Sequence, residues 1–243
     1  MTDDRIPSRF DRRDLLRLGL TAGAASLATA CGWQGGPLLP ALQGASRLND
    51  WVGEKVFLSG RHLAPQYPHS ARTPAGLFPA YSISHPLPQL TDPAGWALEV
   101  SGLARRPARL TLDMIQAMPK VRYTVKHHCV EGWSAIATWT GASLASVVRM
   151  VEPTAAARYL RFDSFDNSYF NGWDLESAMH PQTILAYAFN DRLLTPAHGA
   201  PLRLYSPVKL GYKLTKYLTK LTFTAERPGG YWEDKGYPWL GGV

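Results

Sequence analysis

Cys129 stands in the stretch Val125–Leu144, VKHHCVEGWSAIATWTGASL, close to His127, His128, Glu131, Trp133 and Trp139. A lone thiol in such surroundings is a small buried hydrophobe, a nucleophile or a soft-metal ligand. As a nucleophile it lacks the flanking signature of a Cys-His hydrolase, and as a zinc ligand it lacks a second spaced pair. If a strand runs through Cys129, alternation puts His127, Cys129 and Glu131 on one face and His128 and Val130 on the other. A thiolate suited to a soft or sulfur-rich metal centre would then share a pocket with a carboxylic acid able to move protons during redox chemistry. From these residues alone, a metal ligand and a buried structural cysteine both stay open.

A second constellation lies downstream. Between Arg192 and Ala225 there is no Asp or Glu, while Arg192, Arg203, Lys209, Lys213, Lys216 and Lys220 all occur. They are interleaved with Gly, Pro and aromatic residues, most densely over His198–Lys213. Glycines let backbone N–H groups approach a ligand, and Lys and Arg give charge-assisted bonds to phosphate. A solvated basic face is the plainer alternative. No nucleic-acid motif accompanies the charge, so nucleic acid is not expected as a partner.

The chain must position these residues with short elements. Its 243 residues, 45% hydrophobic, suffice for one large domain or two small ones. The 19 prolines and 21 glycines recur without a period, which disfavours a solenoid and a long-helix bundle. Arg12-Arg13 precedes Leu15-Leu16 and an apolar small-residue run to Ala30, the pattern of a twin-arginine export signal over residues 1–30. The run is too short to favour a spanning helix. Export of this kind carries folded proteins to the periplasm, which suits a cofactor inserted beforehand. Cys31 after Ala30 also resembles a lipoprotein acceptor, leaving a lipid anchor open. Beyond it Cys129 has no disulfide partner, and a free thiol in an oxidising compartment survives best when buried or ligated.

Residues 31–77 read as an extended arm, with a short helix and strand over Leu48–Leu58. Phe78–His85 reads as a strand or a pocket wall. The isolated histidines His62, His69 and His85 read as surface or hydrogen-bonded residues. Strands are expected over Trp96–Ser101, Val121–Val130, Arg158–Phe165, Ile184–Phe189 and Pro201–Tyr205. Helices are expected over Leu110–Met118 with Thr111 as N-cap, Leu144–Val151 stopped by Pro153, and Leu175–Met179. Without a regular βαβ rhythm, this order predicts a mixed, mostly β α+β domain with short helices over residues 78–243.

The ordered motifs Cys129-Val130-Glu131-Gly132-Trp133-Ser134, Trp139-Thr140-Gly141, Gly199-Ala200-Pro201-Leu202-Arg203 and Gly211-Tyr212-Lys213 resemble the catalytic domain of the sulfite oxidase superfamily. The branch they resemble most is that of the periplasmic protein-methionine-sulfoxide reductase catalytic subunits. The resemblance implies a sulfite-oxidase-type fold and a Mo-molybdopterin cofactor with Cys129 as the molybdenum ligand. It implies pterin or phosphate contacts at Arg203 and at Leu214, Thr215 and Lys216. Ser164 stands where the branch has Thr, His198 where it has Asn, and Tyr81, Ser84 and His85 fall near another cofactor-contacting segment. Glu131 is the expected proton-moving partner. The chain has no haem-attachment or iron–sulfur spacing, so electrons are expected from a haem-bearing membrane or soluble partner. It ends without the extra dimerisation domain of larger sulfite oxidases, so a monomer is expected. Reduction of a sulfoxide or related oxo-substrate is the leading expectation. Sulfite oxidation, or an exported non-catalytic module that binds an anion or partner, is the alternative.

Overall fold

Alternation builds the first sheet. Leu98 and Val100 of β1 (Ala97–Gly102) point inward while Glu99 is exposed, and Leu160, Phe162 and Ser164 of β5 (Tyr159–Ser164) point inward in the same way. With β2 (Ala108–Thr111), β6 (Phe170–Asp174) and β10 (Leu218–Thr224) they form a sheet of order β2-β1-β10-β5-β6. The β1–β10 pair is parallel and the other pairs are antiparallel. The computed structural model describes residues 63–243 together with isolated positions between 44 and 52. The export signal, Cys31, His62 and most of Leu48–Leu58 lie outside the described residues.

The second sheet has the order β3 (Lys120–His128), β4 (Ser134–Ser143), β7 (Ile184–Phe189), β8 (Arg192–Leu193), and β9 (Arg203–Tyr205) also pairs with β7. Every residue of β7 is buried, as expected of a strand covered on both faces. Buried side chains of both sheets, among them Phe162, Trp173 and Leu221 of one and Trp139, Leu185 and Leu204 of the other, belong to one continuous core. The helices are short: Leu112–Ala117, Leu144–Val151 and Leu175–Met179. Thr111 caps the first by accepting from Met114 N, and Asp174 caps the third through Ser177 N. The mostly β α+β architecture read from the sequence is the one observed.

Residues 63–73 run along β3 and β4. Tyr67 N donates to Thr124 O at 2.8 Å, Thr73 N to Ile136 O at 2.9 Å, and Arg72 and Arg122 both pair with Asp191. Phe78–Ile83 forms no strand; it lies against the site described next, as a wall.

Candidate active site

β3 and β4 are joined by a tight hairpin, and the turn carries the reactive pair. Cys129 N donates to Trp133 O at 3.0 Å, and Gly132 N donates to Cys129 O at 3.1 Å. Gly132 has φ +88°, a conformation that glycine adopts without strain, and closes this three-residue turn. The strand ends at His128, so Cys129 and Glu131 meet through the turn and not through strand alternation, which corrects the sequence reading. The Cys129 thiol lies 3.8 Å from Glu131 Oε2, which also accepts from Trp133 Nε1 at 3.1 Å. Burial raises the thiol pKa, the Glu131 carboxylate adds to the rise, and backbone N–H groups of Glu131 and Val130 oppose it.

The turn opens onto a cavity of ≈ 330 Å³. Two cations line it, Arg203 buried and Lys216 half-buried. Arg203 lies 4.9 Å over the Trp139 ring and donates to His198 O at 3.1 Å and Leu214 O at 3.3 Å, while its Nε has no partner. Lys216 donates to Tyr81 O at 2.6 Å and Ala197 O at 2.7 Å. Neither has a carboxylate partner among the described residues. Burial lowers the Arg203 pKa to about 10; burial and the nearby Arg203 charge lower that of Lys216 to about 7. Gly199, at φ +94°, lets Lys216 in, since a Cβ there would sit 2.8 Å from Lys216 Cβ.

Two histidines in the cavity wall are neutral. Burial, helped by Arg203, lowers His127 to about 3 and His198 to about 4, and His127 Nδ1 has no partner. His127 and His198 both pack against Phe78, with ring centroids 5.6 and 5.8 Å away. They can hydrogen-bond a ligand without adding charge.

Of the residues singled out in the sequence, the cavity brings together Cys129, Glu131 and His198 with Arg203, Leu214 and Lys216, and with Tyr81 from the wall segment. Four others are not in its wall. Ser164 is fully buried, and its hydroxyl donates to Asp166 Oδ1 at 2.5 Å; Ser84 and Ser168 donate to Asp166 Oδ2. Burial alone would raise the Asp166 pKa, but these three hydroxyls hold it below the ordinary carboxylate value. Thr215 is buried and passes its carbonyl to Leu204 N, and His85 lies outside the wall. Sequence reasoning named Tyr212 within a motif but gave it no role, and missed Tyr169, Trp232 and Tyr237, which also line the cavity. For Trp232 and Tyr237 the signal was the aromatic density of the last residues, where Tyr231, Trp232, Tyr237 and Trp239 fall close together.

Residues 84–232 match the family described as "Oxidoreductase molybdopterin binding domain". The chain belongs to this family. It is 39% identical over 232 residues to a protein-methionine-sulfoxide reductase subunit of Azospira oryzae, YedZ1, covering 95% of this chain and 87% of that protein. It is 29% identical over 239 residues to the protein-methionine-sulfoxide reductase catalytic subunit MsrP of Campylobacter jejuni, covering 92% and 76%. Among solved structures, the sulfane dehydrogenase SoxCD from Paracoccus pantotrophus superposes with a TM-score of 0.54 at 19% identity, over 58% of this chain and 41% of that one. The chain thus spans less than half of that structure, and the likeness speaks to the fold.

Membership makes the chain an enzyme, a molybdopterin-binding oxidoreductase, and removes the non-catalytic alternative. The cavity fits the group on its own chemistry. Among the described residues no three His, Cys, Asp or Glu converge, so a metal here would have one protein thiolate, with its other ligands supplied by the cofactor. Arg203, buried, and Lys216, half-buried, are cations without a carboxylate partner among the described residues, and a phosphate is an anion that both can bind.

Proposed function

We propose that this family member reduces sulfoxides, methionine sulfoxide among them, in the periplasm after twin-arginine export, with electrons from a haem-bearing partner. The names of its Azospira and Campylobacter relatives support the substrate, and Arg12-Arg13 supports the route. Molybdenum on molybdopterin supplies the two-electron step. Each turnover converts one sulfoxide, two electrons and two protons into a thioether and water. Cys129 would hold the metal and Arg203 and Lys216 the phosphate, with neutral His198 and His127 donating or accepting hydrogen bonds. Glu131, fixed by the Trp133 indole N–H, holds or delivers a proton beside the thiol.

The observation that carries this reading is the Glu131 carboxylate 3.8 Å from the Cys129 thiol. A carboxylate there repels a dianionic substrate such as sulfite and leaves a neutral sulfoxide unopposed. The loaded enzyme should therefore turn over sulfoxides faster than sulfite. Cys129→Ser should keep part of its cofactor, change the molybdenum electron paramagnetic resonance signal and lose turnover, since an oxygen donor alters the metal's electronics. A faster sulfite reaction would remove the substrate assignment, and an unchanged signal and turnover in Cys129→Ser would remove the ligand. Export is checked by fractionation: replacing Arg12 and Arg13 with Lys should leave the precursor in the cytoplasm. The mass of the mature N-terminus reports whether Cys31 carries lipid.

A further inference from the structure

The cavity has a second wall that the cofactor assignment does not use. Tyr212 enters from the turn Gly211–Lys213, and Trp232 and Tyr237 enter from the C-terminal segment. Their rings are continuous, with centroids 5.4 Å apart for Tyr212 and Tyr237 and 5.1 Å apart for Trp232 and Tyr237. The wall carries no net charge: Lys213 behind it is paired with the buried Glu233 carboxylate. The Tyr212 hydroxyl is engaged, donating to Pro238 O at 2.5 Å.

This wall is held rigidly. Tyr231 N donates to Phe170 O at 3.0 Å, Trp239 Nε1 to Pro228 O at 2.8 Å, Leu210 N to Gly241 O at 2.8 Å, and Lys213 Nζ to Gly172 O at 2.9 Å. The C-terminal segment is therefore tied to β6 and to the loop before Gly211 along its length. The family match ends at Trp232, and Tyr237 and the Glu233 that braces the wall follow it directly in the chain.

We propose that Trp232 and Tyr237 form the substrate-selecting wall of this cavity, a neutral aromatic surface that takes the alkyl arm of a thioether-type sulfoxide and favours methionine sulfoxide over smaller sulfoxides. The inference rests on the sulfoxide reading above. Aromatic rings attract thioether-like, polarisable groups, and a flexible unbranched arm buries its methylenes against them without needing a charged partner.

The test compares methionine sulfoxide with dimethyl sulfoxide as substrates of the molybdenum-loaded protein, wild type against Trp232→Ala, Tyr237→Ala and the conservative Trp232→Phe. Molybdenum and pterin content is measured on each. The ratio of kcat/KM for methionine sulfoxide to that for dimethyl sulfoxide should fall on the order of three- to tenfold in each Ala variant, through KM. Trp232→Phe should restore most of it, and cofactor content should match wild type. An unchanged ratio in both Ala variants at full cofactor content overturns the inference and leaves sulfoxide reduction standing. Loss of pterin in these variants overturns it too, because the wall would then be a cofactor contact. A wild type inactive on every sulfoxide removes the reading beneath it, and the inference falls with that reading.

Discussion

Four cations from one acid-free segment, three buried and Lys216 half-buried, meet two different fates. Lys209 and Lys213 are 1% and 0% exposed and find carboxylates brought from elsewhere in the chain: Asp174 lies 3.9 Å from Lys209 Nζ, and Glu233 pairs with Lys213. Arg203 and Lys216 find backbone carbonyls and, for Arg203, the Trp139 ring in place of a carboxylate, and they face the cavity. Taking a cation out of water costs several kcal/mol unless a counter-charge answers it. The first pair is answered within the fold and ties the C-terminal segment to β6. The second pair is left for an anion that is not part of the chain. Sequence context is alike in the two pairs, and Arg203 is nearly as buried as Lys209 and Lys213, so for Arg203 it is the partner that separates a binding cation from a structural one.

Lys213→Met should break the first pair most severely. It leaves Glu233 buried without its cation and should lower the unfolding free energy by about 3–5 kcal/mol, read from a denaturant midpoint. Adding Glu233→Met should recover most of that loss. Arg203→Met, by contrast, should leave the stability of the cofactor-free protein level or higher, because it removes an unanswered charge. If it destabilises as much as Lys213→Met, the distinction fails.

Cofactor content sharpens the same contrast. Replacing Arg203 and Lys216 together with Ala should lower molybdenum and pterin per folded molecule by on the order of tenfold or more, since each removes a charge-assisted bond to the phosphate. Full content in that double variant would show that Arg203 and Lys216 do not hold the cofactor.

The smallest effect is a proton linkage. Without an anion Lys216 titrates at about 7, held down by burial and Arg203. A bound anion raises that value, so binding takes up a proton once the pH exceeds about 7, and affinity falls as the pH rises further. Sulfate, whose own charge is constant in this range, should bind the cofactor-free protein more weakly at pH 8.5 than at pH 6.5, by up to about tenfold per pH unit. Equal affinity at both values would show that Lys216 does not meet the anion.

The cations were visible in the sequence, but their sorting was not. Asp174 and Glu233 lie outside the basic segment, and only the tertiary fold decides which Lys each one reaches. Helices Leu144–Val151 and Leu175–Met179 and strand β7 were legible because their apolar spacing is regular and their ends carry Ser143, Pro153, Asp174 and Asn190. β4, β6 and β10 were not. β4 holds the motif residues and slips register between Thr140 and Gly141, and β10 slips between Leu218 and Lys220, so neither keeps a clean period of two. β6 has five residues with Gly172 at its centre and too little pattern to read. Cys129 and Glu131 were correctly paired for the wrong reason: the strand period suggested a shared face, whereas a glycine-closed turn makes it. The aromatic wall escaped notice because Tyr212 becomes a neighbour of Trp232 and Tyr237 only when the C-terminal segment packs against Gly211–Lys213.

The parallel pairing of β1 with β10 sets the order in which this molecule can be built. Val100 lies beside Leu221, and Gly102 beside Phe223. On a chain emerging from the ribosome, the earliest strand of that sheet waits for nearly the last, with loop-closure entropy to be met before their contacts are gained. Folding dominated by such distant contacts is slow. The cavity inherits the delay, because Phe78 and Trp232, which share its wall, are farther apart still along the chain. A nascent chain has no place for the cofactor; a finished one does.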